Sequence, residues 1–187
     1  MSNFQKPAIN RIRLFGSIKV MVVCSLFVAM SIVLGKFLSI PIGDNIRIGF
    51  ENLSLLLAGI LFGPLIGMFT AVAADIVGCF LKGYEINPII TLGAACIGFF
   101  AGAISAFAFK KHLLPNIAVT VFAAHIIGSM IVKSIGLYVY LPLQRPMLVW
   151  RIPTYLIIST AETIIIYGLL KSKAFIMQFE RVKNKYD

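Results

Sequence analysis

The sequence has few charged residues. Only 13% of its 187 residues are Asp, Glu, Lys or Arg, whereas 59% are hydrophobic, and the mean hydropathy is +0.95. Soluble domains typically carry about 25% charged and about 45–50% apolar residues. The apolar excess is too large for a single buried core, which excludes a soluble enzyme, a nucleic-acid-binding domain and a disordered chain. The composition therefore predicts a protein that lies mostly in the lipid bilayer.

Residue types that carry chemistry are also scarce. The sequence has three cysteines and two histidines, and the spacing of Cys24, Cys79 and Cys96 fits no zinc or redox motif. It contains no phosphate-binding Gly-x4-Gly-Lys-Ser/Thr loop, no His-Glu-x-x-His zinc motif and no Gly-x-Ser-x-Gly nucleophile elbow. We therefore expect a protein that is not an enzyme and has neither a metal site nor a cofactor.

Charges, glycines and prolines divide the chain into six apolar segments. The run from Ile48 to Leu81 would form a helix about 51 Å long, too long for one crossing, and Gly63-Pro64 divides it. The sequence predicts an all-α membrane protein, a compact bundle of six transmembrane helices forming one integral-membrane domain over residues 1–187. The predicted helices span about residues 20–35, 48–62, 64–81, 86–109, 115–140 and 152–170. Small residues every four positions on the fourth helix, at Ala94, Gly98 and Gly102, predict close helix packing.

The distribution of basic residues predicts the orientation. With a cytoplasmic N-terminus, 11 of the 17 Lys and Arg residues fall in inner segments and 5 in outer segments, and Lys133 is the remaining one. Basic residues favour the cytoplasmic side, so both termini are predicted to be cytoplasmic. The inner set is Lys6, Arg11, Arg13, Lys19, Lys110, Lys111, Lys171, Lys173, Arg181, Lys183 and Lys185, and the outer set is Lys36, Arg47, Lys82, Arg145 and Arg151.

Several polar side chains lie within the predicted membrane helices. Asp75, His125 and Glu162 fall near mid-membrane, and Lys133 lies closer to the outer surface. A charge at the bilayer centre costs at least about 3 kcal/mol on insertion scales, so such a group should face a partner or an internal cavity. One interpretation is that Asp75, Glu162 and Lys133 neutralise one another or extend toward the interface.

The other interpretation is an outward-facing pocket. Its mouth would be basic, with Arg47, Lys133 and Arg151, and its floor acidic. Tyr84, Asn87 and Trp150 lie at the same outer edge, where aromatic residues also form interfacial belts. Such a pocket would suit an anionic, partly aromatic solute with hydrogen-bond donors at its inner end.

Several segments resemble one family of membrane proteins. They are Ile46-Arg47-Ile48-Gly49-Phe50, Leu57-Ala58-Gly59-Ile60-Leu61-Phe62-Gly63-Pro64, Ala73-Ala74-Asp75-Ile76-Val77-Gly78, Gly83-Tyr84-Glu85-Ile86-Asn87-Pro88, Thr91-Leu92-Gly93-Ala94-Ala95 and Trp150-Arg151-Ile152-Pro153. Together they make the chain similar to the substrate-binding S components of energy-coupling factor (ECF) vitamin transporters. The segments around Arg47 and Arg151 resemble the folate-family members in particular.

The resemblance implies a vitamin site that opens outward in a prokaryotic cell membrane. It also implies three partner chains, a transmembrane coupling subunit and two ATPase subunits, which would supply the ATP chemistry that this chain lacks. S components carry Ala-x-x-x-Ala on the first helix as a docking patch. Here Ser25 and Ala29 occupy those positions, so the serine departs from the pattern.

Folate is the vitamin that this reasoning favours. Its two carboxylates suit Arg47, Lys133 and Arg151, since arginine binds carboxylate through paired hydrogen bonds. The pterin amine and ring N–H suit Asp75. Its flat rings could stack on Tyr84 or Trp150, and Asn87 is the remaining candidate substrate-binding residue.

Three alternatives stay open at this point. The chain could be an S component for another water-soluble vitamin. It could be an autonomous secondary transporter, since mid-membrane carboxylates also serve proton coupling. An intramembrane enzyme using Asp75, His125 and Glu162 is disfavoured because their spacing builds neither a nucleophile nor a metal site.

Overall fold

The structure, a computed structural model, describes residues 17–42, 46–107, 112–140, 145 and 148–183. Its helices are α1 (Ile18–Ile32), α2 (Glu51–Phe62), α3 (Pro64–Lys82), α4 (Pro88–Phe107), α5 (Leu113–Tyr140), α6 (Leu148–Lys171) and α7 (Lys173–Lys183), and its strands are β1 (Ile40–Ile42) and β2 (Ile46–Ile48). Two segments have π-helical winding, Val33–Phe37 after α1 and His125–Val132 within α5. The predicted cytoplasmic residues Lys6, Arg11, Arg13, Lys110, Lys111 and Lys185 lie outside the described residues.

Five helices are long and apolar enough to cross a membrane. They are α1 with part of its π-helical extension, α3, α4, α5 and α6. The described part of the chain is therefore a helical bundle with the spans of a multi-pass membrane protein. A crossing needs about 20 residues, whereas α2 has 12 residues and is about 18 Å long. The sixth crossing and the cytoplasmic termini stay predictions.

The second helix is the centre of the bundle. Every residue of α2 from Asn52 to Phe62 is buried, and its neighbours α3 and α4 approach it through glycines. A methyl group at Gly59 would overlap the carbonyl of Gly98, and one at Gly98 would overlap the backbone of Gly67. These contacts confirm the close packing predicted from the small residues of the fourth helix, because only glycine allows backbones to meet so closely.

The turn between α2 and α3 agrees with the sequence. Gly63 has φ 102°, and Pro64 is the first residue of α3. A positive φ favours glycine, and proline suits the first helical turn because its missing N–H would have no partner there. The predicted division of the long apolar run at Gly63-Pro64 is confirmed.

Two elements were not predicted. The antiparallel hairpin of β1 and β2 pairs Ile40 with Ile48, so α2 begins at Glu51 and not at the predicted residue 48. Short β-branched runs suit strands as well as buried helices, and periodicity cannot separate the two. The other element is α7, which lies beyond the last predicted helix. The ring centre of its Phe179 lies 6.0 Å from that of Phe27 in α1 and 6.0 Å from that of Phe62 in α2. The ring centres of Phe27 and Phe62 are 6.5 Å apart.

Candidate functional site

A small polar cavity lies between the first five helices. Its volume is about 20 Å³, roughly the space of one water molecule. Alanines at positions 71, 74 and 94 leave room between α3 and α4, and three charged residues face this space. The lining residues are Ser31, Ile32, Glu51, Leu55, Ala71, Ala74, Asp75, Ala94 and Lys133. A site that places acidic and basic groups side by side can bind a solute that carries both hydrogen-bond donors and anionic groups.

Lys133 is the buried cation of this cavity. Its Nζ lies 3.6 Å from Oε1 of Glu51, and its side chain is almost fully shielded from solvent. Gly93 of α4 is packed against it, and a methyl group there would collide with the lysine side chain. A buried charge is costly unless it is paired. The glycine gives the aliphatic part of the lysine its space, and Glu51 compensates its charge.

Asp75 joins α3 to α4 at the same cavity. The hydroxyl of Thr91 donates a hydrogen bond to its Oδ2 at 2.6 Å. A hydroxyl bound to a carboxylate at such a distance is a strong, charge-assisted contact. Thr91 carries no charge of its own, and Lys133 lies within Coulombic range of Asp75. The cavity is therefore lined by two carboxylates and one ammonium group.

A second polar cluster connects α5 to α6. Nε2 of His125 lies 2.5 Å from Oε2 of Glu162, and Nδ1 of His125 lies 3.2 Å from Oγ of Ser129. All three residues are buried. Of the interpretations left open by the sequence, internal pairing describes Glu162, but its partner is His125. Lys133 is paired instead with Glu51.

Arg151 lies beside these clusters. Its Nη2 donates to the carbonyl of Ser129 at 2.9 Å, and its guanidinium lies 5.1 Å from the ring centre of Tyr155. The π-helical winding of α5 makes that carbonyl accessible, since π segments distort the regular hydrogen-bond ladder and often mark functional sites. Arg151 is within Coulombic range of Lys133 but is not part of the cavity lining.

Three other predicted residues lie away from the cavity lining. Tyr84 is 48% exposed and follows the end of α3, and Trp150 is 61% exposed in the first turn of α6. Asn87 has a local structural contact, because its Oδ1 accepts the backbone N–H groups of Ile89 and Ile90 at the start of α4. Such a contact caps the helix N-terminus.

The position of Arg47 is known from its backbone, and those of the predicted docking residues Ser25 and Ala29 from their exposure on α1. Arg47 lies in β2 opposite Pro41, at the chain's entry to α2. Ser25 and Ala29 lie on the exposed face of α1, and the Ser25 hydroxyl donates to the Met21 carbonyl at 3.0 Å. That bond turns the serine hydroxyl back onto its own helix, so the face still presents a small, smooth surface.

Sequence reasoning missed Glu51 and Thr91. Glu51 lay inside the predicted helix 48–62 and was not singled out, although an acidic residue in the first turn of a helix is a recognisable favourable signal. Thr91 lies 16 residues after Asp75, and only the antiparallel return of α4 along α3 brings them together. Among the described residues, no group of three or more His, Cys, Asp or Glu side chains could hold a metal ion.

Comparisons with known proteins find one matching family model and a shared fold. A family model described as the S component of the ECF-type riboflavin transporter matches residues 15–175. The fold is similar to that of FolT bound with folic acid, with a TM-score of 0.67 and 23% identity over 83% of this chain and 95% of that chain. It is also similar to the S component of a bacterial ECF transporter, with a TM-score of 0.58 and 20% identity over 89% of this chain and 96% of that one. No curated protein matches the chain.

Proposed function

The chain belongs to the ECF-type riboflavin transporter S component family, and from that premise we propose that it captures folate in the cavity of Lys133, Glu51 and Asp75. Members of this family are transport proteins, so the prediction that the chain is not an enzyme is confirmed. The finer statements, which vitamin is bound and by which residues, are our proposal.

The observation that carries the proposal is the ion pair between buried Lys133 and partly exposed Glu51. Its 3.6 Å separation is longer than a tight hydrogen bond, which usually measures about 2.7–3.2 Å. Little hydrogen-bond energy is therefore lost when the two groups part. A ligand carboxylate can replace Glu51 as the partner of Lys133, and ligand N–H groups can occupy the two protein carboxylates. In the free protein the ammonium group of Lys133 and the carboxylate of Glu51 compensate each other, and both remain able to bind a ligand.

Folate carries both kinds of group that this exchange requires, carboxylates and N–H donors. Its glutamate carboxylates would contact Lys133, with Arg151 and Arg47 as the further cations, and its pterin amine and ring N–H would donate to Asp75. Tyr84, Asn87 and Trp150 remain proposed members at the rim. The fold similarity to the structure of FolT bound with folic acid supports this choice.

Riboflavin is the second candidate, because the matching family model describes a riboflavin transporter subunit. Its ring system and hydroxyl chain are uncharged, so it would bind by hydrogen bonds to Glu51, Asp75 and Lys133. In that case the ion pair could stay intact. The two vitamins therefore differ in how strongly they should depend on the lysine charge.

Either vitamin requires the site to open. Small-molecule pockets typically measure about 300–1,000 Å³, whereas this cavity measures about 20 Å³. The π-helical segment Val33–Phe37 leads from α1 toward the buried α2. Phe37 and Leu38 are largely exposed. We propose that this connection moves outward to admit the vitamin.

Delivery across the membrane would use an ECF module, with a transmembrane coupling subunit and two ATPase subunits, in a prokaryotic cell membrane. Ser25 and Ala29 lie on a face of α1 that also exposes Met21, Val22 and Leu26. Small and apolar residues together suit close helix contact in lipid. We propose this face as the docking surface.

The direct test is calorimetric titration of the purified chain in detergent with folate, riboflavin, thiamine and pantothenate. Saturable binding of folate at one molecule per chain is the expected result. Binding of riboflavin alone would keep the capture function and change the substrate. If none of the four binds, the capture function itself is wrong.

A second measurement separates capture from autonomous transport. Proteoliposomes containing only this chain are expected to bind the vitamin without accumulating it, because the chain has no ATP-hydrolysing motif. Accumulation driven by a proton gradient alone would favour the secondary transporter left open by the sequence.

A further inference from the structure

We propose that His125 and Glu162 are positioning residues that hold the π-helical segment of α5 and thereby place Lys133 in the vitamin site. This inference rests on the proposed function, since it assigns Lys133 to ligand binding. Neither His125 nor Glu162 lines the cavity described above. Their effect on the ligand would be transmitted through the backbone of α5.

The first observation is that His125 and Glu162 are both buried, where a charged side chain is unfavourable. Glu162 is 0% exposed, and among the described residues its Oε1 has no hydrogen-bond partner. Oε2 is held at 2.5 Å from Nε2 of His125. Well-packed apolar side chains would fill the same space without this desolvation cost. The short contact therefore fixes the relative position of α5 and α6 at a desolvation cost that apolar packing would avoid.

The second observation is where the pair acts. His125 is the first residue of the π-helical segment His125–Val132, and its Nδ1 contacts the hydroxyl of Ser129 within the same segment. The carbonyl of Ser129 accepts the Arg151 guanidinium from α6. Helix α6 therefore holds the segment at its beginning and at its middle.

The third observation is that α4 presses on the same segment from another side. A methyl group at Gly128 would overlap Ile97 and the carbonyl of Gly93, and one at Gly93 would overlap Lys133. The segment is thus fixed between α4 and α6, and Lys133 directly follows its last residue, Val132.

The geometric consequence concerns the direction of Lys133. A π-helical segment bonds each residue to the fifth along, whereas an α-helix bonds it to the fourth, so the two turn by different angles per residue. If the segment returned to α-helical winding, the accumulated rotation would turn Lys133 away from Glu51. The π winding is less stable intrinsically, so it needs the contacts of His125, Glu162 and Arg151 to persist.

The test compares Glu162→Ala with Glu162→Gln. The glutamine amide can still form a hydrogen bond with His125, whereas alanine cannot. We expect Glu162→Ala to raise the Kd for the bound vitamin, folate or riboflavin, by at least about tenfold. Glu162→Gln should stay within about threefold of the unmodified chain. Thr160→Ala is the control on the exposed face of α6, where the hydroxyl donates to the Leu156 carbonyl of its own helix, and its Kd should not change.

A double substitution tests whether the effect passes through Lys133. In a Lys133→Met background, Glu162→Ala should add almost no further loss of affinity, because coupled residues are not additive. Full additivity would overturn the inference, and so would a Glu162→Gln variant that binds as weakly as Glu162→Ala.

Amide hydrogen exchange provides a readout that needs no ligand. Glu162→Ala should speed exchange in peptides covering residues 125–134 and leave α3 unchanged. Unchanged exchange in α5 would overturn the inference even if no vitamin binds, which separates its failure from failure of the proposed function. If Glu162→Ala does not fold, Ser129→Ala removes one contact of His125 and should give the same local increase.

Discussion

Replacement of Lys133 by methionine is expected to weaken folate binding by at least about 30-fold. Loss of one partner from a buried charge pair at an interface costs about 2–5 kcal/mol, and about 1.4 kcal/mol corresponds to a tenfold change in Kd. Methionine has a similar length and can follow the same path beside Gly93. Isothermal titration calorimetry of the variant measures the change.

The same substitution should not destabilise the fold. The charge of Lys133 is buried, so its removal relieves a desolvation cost, and Glu51 keeps about a third of its side chain exposed for hydration. The melting temperature should therefore stay equal or rise while affinity falls. Lys171→Met, at an exposed lysine at the end of α6, is the matched control and should bind normally. Equal affinity of the Lys133 variant and the unmodified chain would remove Lys133 from the site.

Replacement of Gly98 by alanine is expected to lower stability by about 2 kcal/mol or more. The added methyl group would overlap the carbonyl of Gly67, which belongs to rigid helical backbone and cannot move without displacing α3. Overpacking of a dense interior typically costs about 1–3 kcal/mol. Because α3 carries Asp75, the displacement should also weaken vitamin binding. Thermal unfolding in detergent measures the first effect and titration the second.

Gly168→Ala is the matched control for this prediction. Gly168 lies in α6, and a methyl group there would meet no atom within 4 Å in the described structure. Alanine favours the helix over glycine by about 1 kcal/mol, so this variant should be as stable as the unmodified chain or more stable. Equal melting temperatures for the two variants would mean that α3 and α4 do not meet as closely as the structure shows.

The sequence allowed prediction of the features that depend on local chemistry. Gly63-Pro64 marked the turn between α2 and α3 because each residue has a strong positional preference there. Ala94, Gly98 and Gly102 predicted close packing because small residues have a specific use in lipid. Asp75 was predicted to face a partner or an internal cavity because the bilayer penalises exposed charges, and Lys133 was predicted to lie closer to the outer surface. The structure places both around one cavity.

The features that the sequence could not supply depend on helix rotation and long-range contacts. Glu51 is the partner of Lys133 because the fold brings the first turn of α2 next to the C-terminal half of α5. The two residues are more than 80 positions apart in the sequence. Trp150 and Arg151 are neighbours in sequence but point differently, one to the exterior and one to Ser129. No periodic signal fixes such directions where a π-helical segment changes the winding of the neighbouring helix.

The position of the bound vitamin is the measurement that tests our central claim most directly. A structure of the chain with folate should show a ligand carboxylate within hydrogen-bond distance of the Lys133 ammonium, a pterin N–H on Asp75, and Glu51 separated from Lys133. A vitamin bound at another surface, with the Lys133–Glu51 pair still at 3.6 Å, would contradict the assignment of this cavity as the capture site.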